Sequence, residues 1–164
     1  MRSISICFAV TAAAALLFAQ QSSGPTVEYK SSADIASMIA KAKGQYAAKA
    51  QPTIVQNLLS LSPYKANLEY RAMPGPAAVH EKEAELFYVI DGSGTLTTGG
   101  KLVGETRTNA ENLSGTGITG GHNQPMSKGD VAIVPENTPH QFTEVKQTLV
   151  LMSFHVPRPV PGEK

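Results

Sequence analysis

The sequence predicts a mainly β fold, a sandwich or barrel, preceded by one helix. From Thr53 onward, short β-prone segments follow one another and are separated by Gly and Pro, which is typical of many short strands. No regular alternation of strands with long helical segments occurs, so a parallel α/β sheet is not expected. The 164 residues suit a single domain.

The predicted helix lies in the N-terminal segment 20–52. Ser31 is followed three residues later by Asp34, a pairing typical of the first turn of a helix. Four apolar residues then recur at helical spacing and form one stripe. We expect the helix to pack on the outside of the domain; a helix that binds a partner is the alternative. The stripe consists of Ile35, Met38, Ile39 and Ala42.

Five segments are predicted strands because they are rich in apolar and β-branched residues and are bounded by turn residues. The clearest turn signal is Asp91-Gly92, a dipeptide typical of hairpins, after the second of these strands. Proline ends regular structure after the fourth and fifth strands. The predicted strands are 65–71, 85–90, 95–98, 131–134 and 147–156.

Residues 99–128 form a long segment that is rich in glycine. Long loops in compact domains are often functional. The part from 99 to 121 is therefore predicted either to act as a mobile lid or to form an extended hairpin or ordered Ω-loop without chemistry. His122 is expected to be exposed and to have no role.

Residues 1–19 have the layout of a secretory signal peptide, with Arg2 before an apolar run that ends at Ala19. We expect cleavage after Ala19 and export of the protein, so that it is periplasmic or secreted. An uncleaved anchor is the alternative, but the run is shorter than the ~20 apolar residues that span a bilayer comfortably. Cleavage removes Cys7, the only cysteine. Zinc sites built on cysteine, redox pairs and a cysteine nucleophile are then excluded.

The charge of the chain gives no sign of an anionic partner. Charged residues make up 16% of the sequence, and the net charge is +1. Loss of Arg2 with the signal peptide would leave 13 Lys and Arg against 13 Asp and Glu. We therefore expect no nucleic-acid partner, and no membrane association after cleavage.

Glu85 is the residue that most needs a partner. It shares one strand face with Phe87 and Val89, whereas Tyr88 faces the other way, and both faces are largely apolar. A buried carboxylate without a partner is costly. A metal ion, Arg71, a lysine or a proton would each satisfy it.

Strand parity also places His140 and Glu144 on one face, so Glu144 is expected to point inward if His140 does. The charged run Glu81-Lys82-Glu83 is expected to be a solvated strand entrance; a catalytic cluster is the alternative. The direction of His155 on the last strand does not follow from the sequence.

Two segments join candidate ligands to glycine and proline at fixed spacings. In the first, His80 lies five residues before Glu85, and Gly92 follows Glu85 after six intervening residues. In the second, five residues separate Gly129 from Pro135, and His140 lies five residues after Pro135. The two segments resemble the two motifs of the cupin superfamily. Three positions depart from the motifs: Ala78 stands in place of the first histidine, Asn137 in place of a glycine and Glu144 in place of an asparagine.

The resemblance implies a single jelly-roll-like cupin β-barrel over 53–157, with the helix packed outside and a C-terminal tail at 158–164. It also implies a divalent metal ion, Fe, Mn, Ni, Zn or Cu, held by His80, Glu85 and His140. Glu144 or His155 is the candidate for a fourth ligand, and Glu144 is the candidate for proton transfer.

The implied function is that of a protein that binds a small molecule or acts on it at the metal, as an oxygenase, isomerase or lyase would. A metal-free cupin that binds a sugar or an organic acid is the alternative. Cupins commonly pair through their sheets, so a homodimer is also expected.

Overall fold

A computed structural model describes residues 27–158 of the chain. It shows one helix and an antiparallel β-barrel of the jelly-roll type, which confirms the predicted fold class. The predicted signal peptide, residues 1–19, lies outside the described residues. Over 27–158, no helix has both the length and the apolar character needed to cross a bilayer.

Helix α1 spans Ser32–Ala48 and begins with the predicted cap. The Ser31 hydroxyl accepts a hydrogen bond from the Asp34 backbone N–H, and the Asp34 carboxylate accepts one from the Ser31 backbone N–H. Every residue of the predicted apolar stripe packs into a cluster that lies between α1 and the outer face of the sheet. The helix therefore packs on the outside of the domain, as predicted.

Eleven strands make up the β structure of the described residues. The predicted strands at 65–71 and 131–134 are confirmed, whereas the others are parts of longer strands. In chain order the strands are β1 Thr53–Leu61, β2 Tyr64–Arg71, β3 Ala77–His80, β4 Glu83–Thr98, β5 Lys101–Val103, β6 Thr106–Arg107, β7 Asn112–Gly115, β8 Gly117–Thr119, β9 His122–Ser127, β10 Val131–Val134 and β11 His140–Pro157.

The two longest strands, β4 and β11, form the centre of the sheet. They pair with each other along most of their length. β11 also pairs with β2 and β3, and β4 also pairs with β9 and β10. Residues of the two central strands therefore reach both ends of the barrel, and most of the interior side chains come from them.

The predicted turn at Asp91-Gly92 is wrong, because β4 continues through it to Thr98. Gly92 has φ +83° and lies at an irregularity in the pairing of β4 with β11. Ser93 pairs with Lys146 and Gly92 pairs with Leu149, so two residues of β11 have no partner on β4. The two extra residues of β11 bend the ribbon at this point. The glycine thus marks a bulge in a continuous strand pair rather than a hairpin.

The glycine-rich segment is ordered into short strands, in agreement with the alternative of an extended hairpin. β5 and β8 form a small separate sheet, while β6 and β7 extend the main sheet beyond β3. β9 pairs with the second half of β4. His122 lies on β9 and is exposed, as expected.

One part of the barrel interior is filled by an apolar cluster that includes Phe87, Val89, Phe142 and Leu151. Tyr88 faces outward and is 38% exposed, so the predicted parity of this strand is confirmed. The apolar cluster fills one part of the barrel, and the other part holds a cavity lined by polar side chains.

The bulge at Gly92 gives a direct stability prediction. A Cβ at this position would lie 1.9 Å from the Thr148 carbonyl oxygen, whereas a Cβ at Gly99 would have no atom within 4 Å. Both glycines have positive φ, so each alanine costs about 1–2 kcal/mol of conformational strain. We expect Gly92→Ala to lower the free energy of unfolding by at least twice the loss caused by Gly99→Ala in urea denaturation. Equal losses would contradict the described bulge.

Candidate functional site

A cavity of about 280 Å³ lies inside the barrel, between β1, β2, β3, β4 and β11. One part of its wall consists of three histidines and one glutamate. They are His80 at the end of β3, Glu85 near the start of β4, and His140 and His155 near the two ends of β11.

Glu85 is at the centre of this cluster and is 5% exposed. Its Oε2 atom lies 3.2 Å from Nε2 of His80 and 3.1 Å from Nε2 of His140. Its Oε1 atom lies 3.5 Å from Nε2 of His155. All three imidazoles thus direct the same ring nitrogen toward one carboxylate.

The other ring nitrogen of each histidine contacts a hydrogen-bond acceptor. Nδ1 of His80 donates to the side-chain oxygen of Asn112, and Nδ1 of His140 donates to the Thr138 carbonyl at 3.0 Å. Nδ1 of His155 donates to the Glu83 carboxylate at 2.9 Å. With the proton fixed on Nδ1, a neutral imidazole presents the lone pair of Nε2 to the cluster, which is the arrangement of a metal-binding histidine.

The turn before β11 joins the two motif segments. Asn137 has φ +59°, a conformation that asparagine tolerates better than most residues, and its backbone N–H donates to the His80 carbonyl at 2.8 Å. His140 follows three residues later. Asparagine therefore accommodates the positive φ of this turn, and the backbone hydrogen bond links the turn before His140 to His80.

The structure brings the three predicted ligands into contact and places His155, one of the two candidates for a fourth ligand, beside them. The candidate ligand atoms of His80, Glu85 and His155 lie within 4.8 Å of one another. His140 is not part of that mutual group, but its contact with Glu85 is the shortest of the three. We therefore treat all four residues as one cluster.

The expectation that Glu144 points inward is wrong. The pairing of β11 with β4 shifts by one residue between Phe142 and Glu144, so the simple alternation of faces is broken there. Glu144 is exposed, and its carboxylate accepts a hydrogen bond from Thr95 at 2.9 Å. Glu144 therefore lies outside the cluster and is not positioned for the proton transfer that the sequence suggested.

Two residues that support the cluster were missed from the sequence. Glu83 was expected to be solvated, yet it contacts His155; its position two residues before Glu85 on the same strand was the available signal. Asn112 lies in the glycine-rich segment and carried no local signal. Arg71, a possible partner of Glu85, instead contacts the Glu69 carboxylate at 2.7 Å.

The surroundings shift the pKa values of two members of the cluster. Burial alone would raise the pKa of Glu85, but hydrogen bonds from His140 and His80 and the charges of His140 and His155 hold it well below its usual range. Burial alone would lower the pKa of His80, but its contacts with Glu85 and Asn112 and the charges of Glu85 and Glu83 raise it above the ordinary value. The carboxylate is thus ionised, and His80 retains its proton to higher pH than a free histidine when no metal is bound.

Comparison with known proteins identifies the family. Solved structures with a similar fold include a proposed mannose-6-phosphate isomerase from Ralstonia eutropha JMP134, with 16% identity and a TM-score of 0.48 over 67% of this chain and 89% of that chain. The Cnp3 cupin domain of Schizosaccharomyces pombe has 17% identity and a TM-score of 0.49 over 66% of both chains. KdgF from Halomonas sp. has 14% identity and a TM-score of 0.48 over 66% and 82% of the two chains.

Identities this low say nothing about a shared activity. No curated protein matches the chain. The sequence profile of the Cupin family, in contrast, matches residues 32–159, which include α1 and the whole barrel. The chain therefore belongs to the Cupin family.

Proposed function

We propose that the barrel binds one divalent transition-metal ion through Nε2 of His80, His140 and His155 and the carboxylate of Glu85. The observation that carries this proposal is the common orientation of the three imidazoles. Each has its Nδ1 atom bonded to an acceptor and its Nε2 atom directed at the same buried carboxylate.

The donor set fits this kind of ion. Imidazole nitrogens with one carboxylate suit Fe, Mn, Ni, Cu or Zn, whereas Mg²⁺ and Ca²⁺ prefer sites made of oxygen atoms. The contact of Glu83 with His155 adds the carboxylate–histidine pair that often lies behind a metal ligand. One divalent ion would also balance the charges of Glu83 and Glu85, which favours its burial beside them.

His155 supplies the imidazole that the first motif lacks. Ala78 stands two residues before His80 on the same strand and lines the cavity without a ligand atom. His155 approaches Glu85 from β11, the strand paired with that part of β4. The proposed centre thus keeps four protein ligands, with one of them moved from β3 to β11.

The proposed function is the binding or conversion of a small molecule in the cavity next to this centre. When bound, the ion would supply a Lewis acid that polarises a ligand oxygen or activates water. The protein groups hold the ionised carboxylate and the neutral imidazoles in place, and the cavity limits the size of the molecule. Export and homodimer formation stay predictions of the sequence.

A metal-free binding module is the alternative, and one observation favours it. Within the described residues, every buried side-chain nitrogen and oxygen has a hydrogen-bond partner, so the cluster is satisfied without an ion. In that case the imidazoles satisfy Glu85 through hydrogen bonds, and the cluster serves as a polar wall of the cavity. Metal titration distinguishes the two functions.

The first prediction concerns metal binding itself. We expect the mature protein to bind one equivalent of Zn²⁺ or Mn²⁺ in isothermal titration calorimetry. His155→Ala and Glu85→Gln should each weaken binding by more than about 100-fold, because each removes a direct ligand, beyond the 10–100-fold effect typical of outer-shell changes. His122→Ala is the control, since His122 is exposed on β9.

If none of Fe, Mn, Ni, Cu and Zn binds the wild-type protein at micromolar concentration, the metal-free alternative holds. If metal binds but His155→Ala leaves its affinity unchanged, His155 is a structural neighbour and the ligand set is the three residues predicted from the sequence.

A second prediction concerns Asn112, which orients His80. Asn112→Ala removes the acceptor of the Nδ1 proton and frees the ring to adopt the other tautomer. We expect a 10–100-fold loss of metal affinity with little loss of thermal stability. Asn123→Ala is the matched control, because Asn123 accepts a hydrogen bond from Thr97 on another part of the barrel. Equal effects of the two substitutions would contradict a role for Asn112 in metal binding.

A third prediction concerns pH. The raised pKa of His80 contributes stability below its ordinary pKa of 6.5, and this contribution is lost as pH rises through the raised value. The lowered pKa of Glu85 contributes stability above its ordinary pKa of 4.5, and this is lost as pH falls through the lowered value. In the metal-free protein, the cluster should therefore stabilise the fold most between about pH 4.5 and 6.5.

Metal binding must displace the proton of His80, so added Zn²⁺ should raise the Tm more at pH 8 than at pH 5.5. Thermal denaturation followed by circular dichroism, with and without the ion, measures both effects. A Tm increase that is larger at pH 5.5 would be inconsistent with metal binding at His80.

A further inference from the structure

The cavity wall formed by β1 and β2 carries a second group of polar side chains. Thr53, Asn67, Glu69 and Arg71 line this wall, whereas the histidine cluster comes from β3, β4 and β11. None of these four residues contacts the cluster directly in the hydrogen bonds or ion pairs of residues 27–158. The cavity therefore has two chemically different ends.

Arg71 is held rigidly at this second end. Its Nε and Nη2 atoms donate to Oε2 of Glu69 at 3.0 and 2.7 Å, and its Cζ atom lies 5.1 Å from the centre of the Phe142 ring. Glu69 is itself buried, and its Oε1 atom accepts a hydrogen bond from Ser153 at 2.7 Å. One edge and one face of the guanidinium are therefore fixed by the protein.

The remaining edge of the guanidinium is open. Among the described residues, Nη1 of Arg71 makes no hydrogen bond, although the Arg71 side chain is only 15% exposed. Gly75 approaches this edge closely: a Cβ at this position would lie 3.3 Å from Nη1 and 3.4 Å from the Thr53 hydroxyl, so any larger residue would crowd Nη1. A preoriented donor of this kind suits the planar oxygens of a carboxylate.

The charged side chains that line the cavity are few. Arg71 is the one basic side chain other than histidine among the residues that line it, and Glu69 and Glu85 are the acidic ones. A divalent ion at the cluster would balance Glu85 and the nearby Glu83. Arg71 is therefore the lining cation that an anionic ligand can contact, through its Nη1 atom.

The size of the cavity and its geometry limit the ligand to a short molecule. A volume of about 280 Å³ is just below the range for drug-sized ligand sites, which begins near 300 Å³. Phe142, which packs against Arg71, lies two residues along β11 from His140, so the two backbone positions are about 7 Å apart. A small hydroxy- or oxo-acid fits a cavity of this volume.

We infer that Arg71 recognises the carboxylate of a small organic acid, whose hydroxyl or carbonyl oxygen is directed toward the histidine cluster. The part of the inference that concerns the metal-facing end of the ligand rests on the proposed function. The part that concerns the carboxylate depends only on Arg71, Glu69 and the cavity, so the two parts can be tested separately.

The test measures binding of L-malate and 2-oxoglutarate by isothermal titration calorimetry, with the dimethyl ester of malate as the uncharged probe. Arg71→Met should weaken binding of the acids at least 10-fold and leave Zn²⁺ affinity unchanged, since Arg71 contacts no proposed metal ligand. Glu69→Gln should strengthen binding several-fold, because it leaves the charge of Arg71 uncompensated. Arg107→Met is the control, because Arg107 pairs with Glu81 on the surface.

Arg71→Met and Glu69→Gln both break the same ion pair. Opposite effects of the two variants on acid binding would therefore show that Arg71 recognises the acid and does not only stabilise the cavity. The inference is overturned if neither acid binds the metal-loaded or the metal-free protein, if the ester binds as well as malate, or if Arg71→Met binds the acids like the wild type. If Arg71→Met does not fold, Glu69→Gln decides: unchanged or weaker binding of the acids would overturn the inference.

The titrations with L-malate and with 2-oxoglutarate are repeated on the metal-free protein. If the protein binds no metal but still binds the acids in a way that depends on Arg71, the proposed metal function fails and the present inference stands. If metal binds and the acids do not, the inference fails and the metal function stands.

Discussion

The negative charge of Glu85 is the constraint around which the barrel interior is arranged. Removing a carboxylate from water costs several kcal/mol unless its oxygens meet donors or a cation. Here the two oxygens contact three imidazoles that arrive from β3 and from both ends of β11. These contacts tie together strands that are distant in sequence, and they require the imidazoles to converge whether a proton or a metal ion supplies the positive charge.

A second layer of hydrogen bonds orients the imidazoles. Glu83, Asn112 and the Thr138 carbonyl each hold one Nδ1 atom, and they belong to three different parts of the chain. Asn112 is notable because it connects the glycine-rich segment to the cluster. That segment is therefore part of the support of the site, and its short strands place one amide oxygen against His80.

Local signals were sufficient for the elements that depend on neighbours in sequence. The capping pair of Ser31 and Asp34 and the apolar stripe after it determined α1, and strand alternation correctly placed Glu85 and Tyr88 on opposite faces of β4. The motif spacing predicted that His80, Glu85 and His140 would meet, and the structure places them in contact; whether they hold a metal stays a prediction. Parity failed for Glu144 because a bulge in β11 adds one residue, and bulges depend on the pairing of two distant strands.

The residues that the sequence did not reveal depend on the same long-range pairing. The direction of His155 is set by the register of β11 against β4 beyond three irregularities, and Asn112 reaches His80 only because β7 pairs with β3. Arg71 was a candidate partner of Glu85 because its charge is suitable, but Glu69 lies two residues away on the same face of β2 and takes that role. Which of two acidic residues pairs with an arginine thus depends on how the fold positions them.

The bend in β11 between Phe142 and Leu149 has a further consequence. His140 and His155 lie on opposite sides of it, so the number of residues in the bend sets the face on which each histidine emerges. Since side chains alternate along a strand, inserting or deleting one residue there would turn one imidazole away from the barrel while every ligand residue remained in the sequence. The composition of the cluster can thus change through the length of a segment that contains none of its members, and counting motif residues alone would not detect the change.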